Sequence, residues 1–180
     1  MKPLAPSHVA FDLPWPWGGE RFELSDIKPI TYITGPLGSG KTRLAREIAK
    51  AIPNAAFIGL ERLADGSGAV PPEAGEALSR LIQQGATESA ALRTLMTALI
   101  ATDGNALVVD MVEQGLDHAS QDALAAYLRR RDAAAPPLFL LTRSSSILNL
   151  SSASPNETII YCPANHSPPF RVAANAGAPG

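Results

Sequence analysis

Residues 29–44 read Pro29-Ile30-Thr31-Tyr32-Ile33-Thr34-Gly35-Pro36-Leu37-Gly38-Ser39-Gly40-Lys41-Thr42-Arg43-Leu44, and this stretch decides the fold. It opens with a β-branched and aromatic run that stops at a glycine, the pattern of a buried strand. It leads into TRLAREIAKAI, Thr42 to Ile52, where Leu44, Ala45, Ile48, Ala49 and Ile52 share one helical face and Pro53-Asn54 ends the helix. Between strand and helix lies GPLGSGKT, Gly35 to Thr42. Glycines at 35, 38 and 40 let the backbone curl until successive N–H groups point inward, a nest for phosphate oxygens. The helix N-terminus adds its partial positive charge. Lys41 can reach the β- and γ-phosphates of a nucleotide, and the Thr42 hydroxyl can ligate Mg²⁺. The expected contact set is Gly35, Pro36, Leu37, Gly38, Ser39, Gly40, Lys41, Thr42 and Arg43, with ATP and Mg²⁺ as cofactors. The alternative is a glycine-rich turn that merely caps a helix. The strand–loop–helix context argues against it.

A phosphate loop of this kind needs a second carboxylate for the metal, at the end of a neighbouring parallel strand. Ala106-Leu107-Val108-Val109-Asp110 is a compact apolar strand closed by an acid, so Asp110 joins Thr42 as an expected metal ligand. Further strands are expected at Arg21–Ser25, Ala55–Leu60, Pro137–Thr142 and Glu157–Cys162. Helices are expected over Glu73–Gln84, Thr87–Ala101 and Ser120–Arg131, with Thr87 as a candidate N-cap. Ala64 to Pro72 is a loop by composition, and Arg143 to Ser146 a polar turn. Helices alternating with apolar strands imply an α/β domain whose mostly parallel sheet is covered on both faces.

The 180 residues suffice for one well-packed domain. Residues 1–20 are expected as an irregular N-terminal segment, 21–172 as the domain and 173–180 as a frayed tail. A formal net charge of −2 leaves no electrostatic footprint for nucleic acid, and Arg129 to Arg131 read as helix-terminal, solvated surface. Cys162 stands alone, so no internal disulfide forms, and it reads as a small buried residue. His166 has no carboxylate spacing that suits a metal site. There is no signal-peptide run and no stretch of about eighteen apolar residues to span a membrane. A cytoplasmic protein is expected.

From Phe22 to Ser144 the order of segments resembles the ABC-type ATPases, the family of transporter nucleotide-binding domains, SMC/Rad50 proteins and their soluble relatives. ITGPLGSGKT, Ile33 to Thr42, is similar to that family's ITGPNGSGKT version of Walker A, with Leu37 for the asparagine. LVVDMVEQGLD, Leu107 to Asp117, resembles Walker B followed by the D-loop, and Glu113, Gly115 and Leu116 fall in register with the variant DEPExGL. The resemblance implies a P-loop NTPase three-layer sandwich with a reduced helical insertion, Asp110 on the metal, and Leu116-Asp117 in the D-loop. Met111 occupies the place of the family's catalytic glutamate. A thioether cannot take a proton from an attacking water. Glu113 is the candidate substitute, and Arg143 stands where the switch histidine belongs, as a permanent cation for the γ-phosphate or as surface. No LSGGQ string occurs; spacing from Asp110 puts Thr87 at the signature serine. Glu61 is the candidate for the glutamine of the Q-loop. Phe11, Trp15 and Trp17 are candidate adenine stackers or simple packing residues.

These features point to an ABC-like ATPase that binds Mg-ATP, hydrolyses it slowly or conditionally, and couples it to a homodimer or a protein partner. The alternatives are a small-molecule or nucleotide kinase, and a non-hydrolysing ATP-sensing interaction protein. A kinase usually brings several arginines in a mobile lid, and Asp65 to Pro72 contains none.

Overall fold

The computed structural model describes residues 7–64, 70–101, 103–131, 134–149 and 157–172. In chain order the elements are β1 (Val9–Asp12), β2 (Arg21–Leu24), β3 (Ile30–Thr34), α1 (Lys41–Ala51), β4 (Ala55–Ile58), a 3₁₀ turn (Leu60–Ala64), α2 (Pro72–Gln83) and α3 (Ala90–Ala101). There follow β5 (Ala106–Val109), α4 (His118–Arg129), β6 (Leu138–Leu141), α5 (Ser145–Leu148), β7 (Glu157–Tyr161) and β8 (Phe170–Val172). The expected tail at 173–180, and residues 65–69 of the expected loop, lie outside the described residues.

Six strands form one sheet in the order β4-β5-β6-β3-β7-β8, parallel throughout except for β8, which runs antiparallel to β7. The fold is therefore mixed α/β. Alternation along the central strands sorts their side chains onto two faces. Leu107, Val109, Leu138 and Leu140 join one apolar cluster with α2, α3 and α4. Val108, Phe139, Leu141 and Ile33 join the other with Leu44, Ala45 and Ile48 of α1. Being buried on both faces is why these strands read as continuous apolar runs. The helices between β4 and β5 belong to the core: Leu78, Leu81, Leu92, Leu95 and Met96 all pack on the sheet.

One expectation about strand order needs correcting. β5 is not hydrogen-bonded to β3, because β6 lies between them, paired to β3 through Ile30↔Leu138 and to β5 through Leu107↔Leu138. LFLL, buried at every position, can occupy the middle of a sheet where each neighbour is apolar.

The N-terminal stretch, expected to be irregular, contains β1, which pairs antiparallel with β2 from Val9↔Leu24 to Asp12↔Arg21. Of its four prolines, the two within the described residues, at 14 and 16, fall in the connection, where no ladder donor is needed. Val9, Leu13 and Trp17 from this hairpin bury against α1, and a fully buried side chain of this class contributes about 1.5–3 kcal/mol. Two helix starts also differ from expectation. α4 begins at His118 because the Asp117 carboxylate accepts the Ser120 N–H at 2.8 Å, an N-cap two residues earlier than periodicity suggested. α3 begins at Ala90 with the Ser89 hydroxyl accepting the Leu92 N–H at 3.1 Å. Thr87 is thus not its cap: its N–H donates to Ser120 Oγ at 2.9 Å instead.

Candidate functional site

All five strands that run parallel present their carboxyl ends to the same edge, and the glycine-rich loop leaves β3 there. Gly35 has φ 148°, and a Cβ on it would collide with the carbonyl oxygen of Cys162, just past β7. Gly40 has φ 97°, and a Cβ there would lie 2.8 Å from the Trp17 ring. The loop is clamped from two sides by backbone and ring, so only glycine fits at either end. The clamp exposes its middle: Leu37 is 82% solvent-exposed. Lys41 is buried, and its Nζ donates to the carbonyls of Gly35 (2.8 Å) and Pro36 (2.9 Å). Burial holds the Lys41 ammonium below its usual pKa and nearby Arg143 adds to that, while Cys162, Asp110 and Glu113 oppose it. Lys41, Asp110, Glu113 and Arg143 therefore share one electrostatic neighbourhood. Thr42 and Arg43 open α1, both exposed. The Ser39 hydroxyl is buried with no hydrogen-bond partner among the described residues.

Asp110 follows β5 and is 5% exposed, and its Oδ1 has no hydrogen-bond partner among the described residues. Desolvation raises its carboxyl pKa above the usual range, partly offset by Arg62 and then Arg46. A buried carboxylate oxygen without a donor is a costly arrangement. It fits a bound cation. The hydroxyl at Thr42 and the carboxylate at Asp110 are both oxygen donors of the hard type that Mg²⁺ takes.

Glu113 holds together the two loops beyond β5 and β6. Its Oε1 accepts from the Thr142 hydroxyl at 2.8 Å and its Oε2 from the Arg143 N–H at 2.9 Å. Each oxygen keeps further acceptor capacity. The Arg143 side chain is exposed. Met111 has φ 44°, a left-handed conformation that costs a side-chain-bearing residue about 1–2 kcal/mol. Arg62 braces it. From the 3₁₀ turn, this buried guanidinium donates to the carbonyls of Gly59, Asp110 and Met111, each at 2.9 Å.

Thr87 and Asp117 are brought to each other, through Ser120 at the start of α4, and not to Lys41. Glu61 is exposed; its neighbour Arg62 is the residue that turns inward. Of the aromatic candidates, Phe11 stacks on Phe22 at 5.1 Å between centroids and Trp17 underlies Gly40, whereas Trp15 is 79% exposed. Sequence reasoning missed Arg62, whose partners lie 48 and 49 residues away, and the contact of His166. The His166 Nε2 lies 3.1 Å from the Gly38 carbonyl oxygen, where a ring N–H donates to the loop. The only signal for it was proximity of β7 to β3, which sequence does not print.

Neither a protein-family model nor a curated protein sequence matches the chain. Solved structures do. The SMC head domain from Thermotoga maritima superposes with a TM-score of 0.65 at 10% identity, covering 93% of this chain and 98% of that one. The two share a fold. The structure of a bacterial Atm1-family ABC exporter with ATP bound superposes with a TM-score of 0.57 at 12% identity. That match covers 89% of this chain, which spans only 37% of the exporter's length. At such identities the likeness concerns the fold alone. Among the described residues no helix is long and apolar enough to cross a membrane.

Proposed function

We propose that this chain is an ABC-like ATPase that binds Mg-ATP at Gly35–Arg43 and hydrolyses it slowly or conditionally, coupling nucleotide to association with a second copy or a protein partner. One observation carries this reading. A clamped glycine loop bearing Lys41 shares its surroundings with a buried carboxylate oxygen of Asp110 that has no hydrogen-bond partner among the described residues. That the fold's neighbours include an exporter with ATP bound supports it further.

Thr42 and Asp110 would hold the Mg²⁺, which supplies charge neutralisation along the phosphates. Lys41 adds a charge-assisted contact to the same oxygens, and the exposed Arg143 adds a second, permanent cation near the loop. Trp15 offers the free ring for the base. Hydrolysis needs an acceptor for the proton of the attacking water. Glu113, which accepts from Thr142 and the Arg143 N–H, would orient that water. Met111 supports slow turnover, because the residue adjoining Asp110 has no basic atom. It also favours a second reading, an ATP sensor that binds without hydrolysing.

Calorimetry tests the binding claim. Lys41→Ala should weaken Mg-ATP binding at least tenfold, about 1.4 kcal/mol, with the circular dichroism unchanged; equal affinity would refute the loop assignment. Phosphate release without any added acceptor separates an ATPase from a kinase. For association, a non-hydrolysable Mg-ATP analogue should shift the protein to a dimer in light scattering when ADP does not, since the γ-phosphate provides the differential affinity. Thr87→Asp should block that shift and spare monomer binding. A monomer at high concentration with saturating analogue would rule out self-association.

A further inference from the structure

The arginine cluster at the end of α4 does something other than cover surface. Arg129 turns inward to Glu157, 3.0 Å away, with both side chains largely buried. As the last-turn base of α4 it also complements that helix's C-terminal dipole. Arg130 and Arg131 lie beyond the last turn and go elsewhere. Together with Arg80 of α2 they line an open cavity of about 500 Å³, with Gln84 on its rim and Leu81 and Tyr127 in its wall. α4 is 12 residues long, about 18 Å. Its N-terminus adjoins the loop after β5 and its C-terminus the start of β6, so the cavity sits at the opposite edge of the sheet from Lys41.

Charge bookkeeping makes the cavity unusual. Among the described residues no carboxylate lines it, and none of its three arginines makes an ion pair, unlike Arg93 and Arg129. Their hydrogen bonds go to neutral acceptors: Arg130 to Gln84 Oε1 at 2.7 Å and Arg131 to the Pro136 carbonyl at 3.0 Å. Burial lowers the pKa of the Arg131 guanidinium, with only Tyr127 acting in opposition. Among the described residues the half-buried Arg131 meets no carboxylate, and a bound anion would supply the counter-charge.

We propose that this cavity binds a small organic phosphate, its phosphoryl oxygens held by Arg80, Arg130 and Arg131 and its carbon skeleton against Leu81 and Tyr127. Planar guanidinium forks match phosphate oxygens in pairs. The volume falls within the range of small-ligand sites, about 300–1,000 Å³. The walls combine apolar surface with a few convergent polar groups, as an organic ester requires. A polymer backbone would instead need a basic stripe across the surface, and the chain's net charge is −2.

The test is a nitrogen-15 NMR titration of the arginine Nε–H resonances with ribose 5-phosphate, with inorganic phosphate as the second probe. A saturable shift of Arg130 and Arg131 with a dissociation constant below about 1 mM is expected. It should weaken at least tenfold in Arg80→Gln and in Arg130→Gln, whose exposed side chains are not needed for folding, and stay unchanged in Lys41→Ala. This last arm keeps the site independent of the proposed nucleotide loop. Absence of saturation at about 20 mM would overturn the proposal. So would equal affinity for inorganic phosphate, which signals an adventitious ion only, or loss of the shift in Lys41→Ala with retention in Arg130→Gln. Duplex DNA that displaces ribose 5-phosphate at lower concentration would overturn it in favour of a polymer.

Discussion

Replacing Arg62 by Met removes three hydrogen bonds that no other residue in the 3₁₀ turn can make. Each runs 2.9 Å from a guanidinium nitrogen to a main-chain carbonyl, of Gly59, Asp110 or Met111. The Met111 carbonyl keeps the Gln114 N–H at 2.9 Å and the Gly59 carbonyl the residue-62 N–H at 3.4 Å, so among the described residues only the Asp110 carbonyl is left without a donor. That costs about 1–3 kcal/mol, and each of the other two lost bonds about 0.5–1.5 kcal/mol, a gross loss of roughly 2–6 kcal/mol. Two effects offset it. The wild-type guanidinium is itself desolvated, which lowers its pKa, and its Nε has no partner among the described residues. Methionine also buries apolar surface in its place, about 1.5–3 kcal/mol. The net expectation is a loss of about 1–3 kcal/mol in unfolding free energy, a noticeable part of the typical total of about 5–15 kcal/mol. Arg62→Lys should fall between wild type and Met, because one ammonium keeps the charge near Asp110 and cannot span three carbonyls. The Met variant should also bind Mg-ATP more weakly, having lost the largest influence that favours ionised Asp110. Urea unfolding followed by fluorescence gives the stability, and calorimetry the affinity. A change below about 0.5 kcal/mol for Arg62→Met, the level of an ordinary surface substitution, would show that these carbonyls do not depend on Arg62.

Asp110→Asn should raise the melting temperature of the nucleotide-free protein at neutral pH while removing its stabilisation by Mg-ATP. A carboxyl whose pKa in the folded state lies above its ordinary value destabilises the fold when ionised, so the gain should shrink as pH falls through that raised pKa; an Asn variant that melts lower at neutral pH would contradict this. Met111→Glu should accelerate phosphate release, since a placed base is worth about 10²–10⁴-fold. If Glu113 already serves, Glu113→Gln abolishes turnover and Met111→Glu changes little; no effect from either would remove the reaction from the surroundings of Asp110.

The local features of this chain were readable from its residues. PITYIT, GPLGSGKT and the TRLAREIAKAI periodicity define strand, turn and helix because each depends on neighbours within a few positions. ALVVD and PLFLL announce doubly buried strands for the same reason: when both faces are covered, every position is apolar. Of the amino-terminal hairpin, β2 was readable at Arg21–Ser25 and β1 was not, because β1 lies in a proline-rich stretch and its buried face is set by α1, which only packing reveals. Helix starts moved by two or three residues where side chains decided them, Asp117 for α4 and Ser89 for α3.

What the tertiary structure alone decided is long-range. That β6 enters between β3 and β5 depends on sheet pairing, which no local pattern encodes. That His166 rests on Gly38, Trp17 under Gly40 and Arg62 beneath Asp110 and Met111 follows from contacts between segments 23 to 128 residues apart. The same holds for the arginines. Sequence places Arg129, Arg130 and Arg131 side by side, yet the helix end sends the first into an ion pair with Glu157 and turns the other two toward Arg80, because consecutive side chains leave a helix about 100° apart.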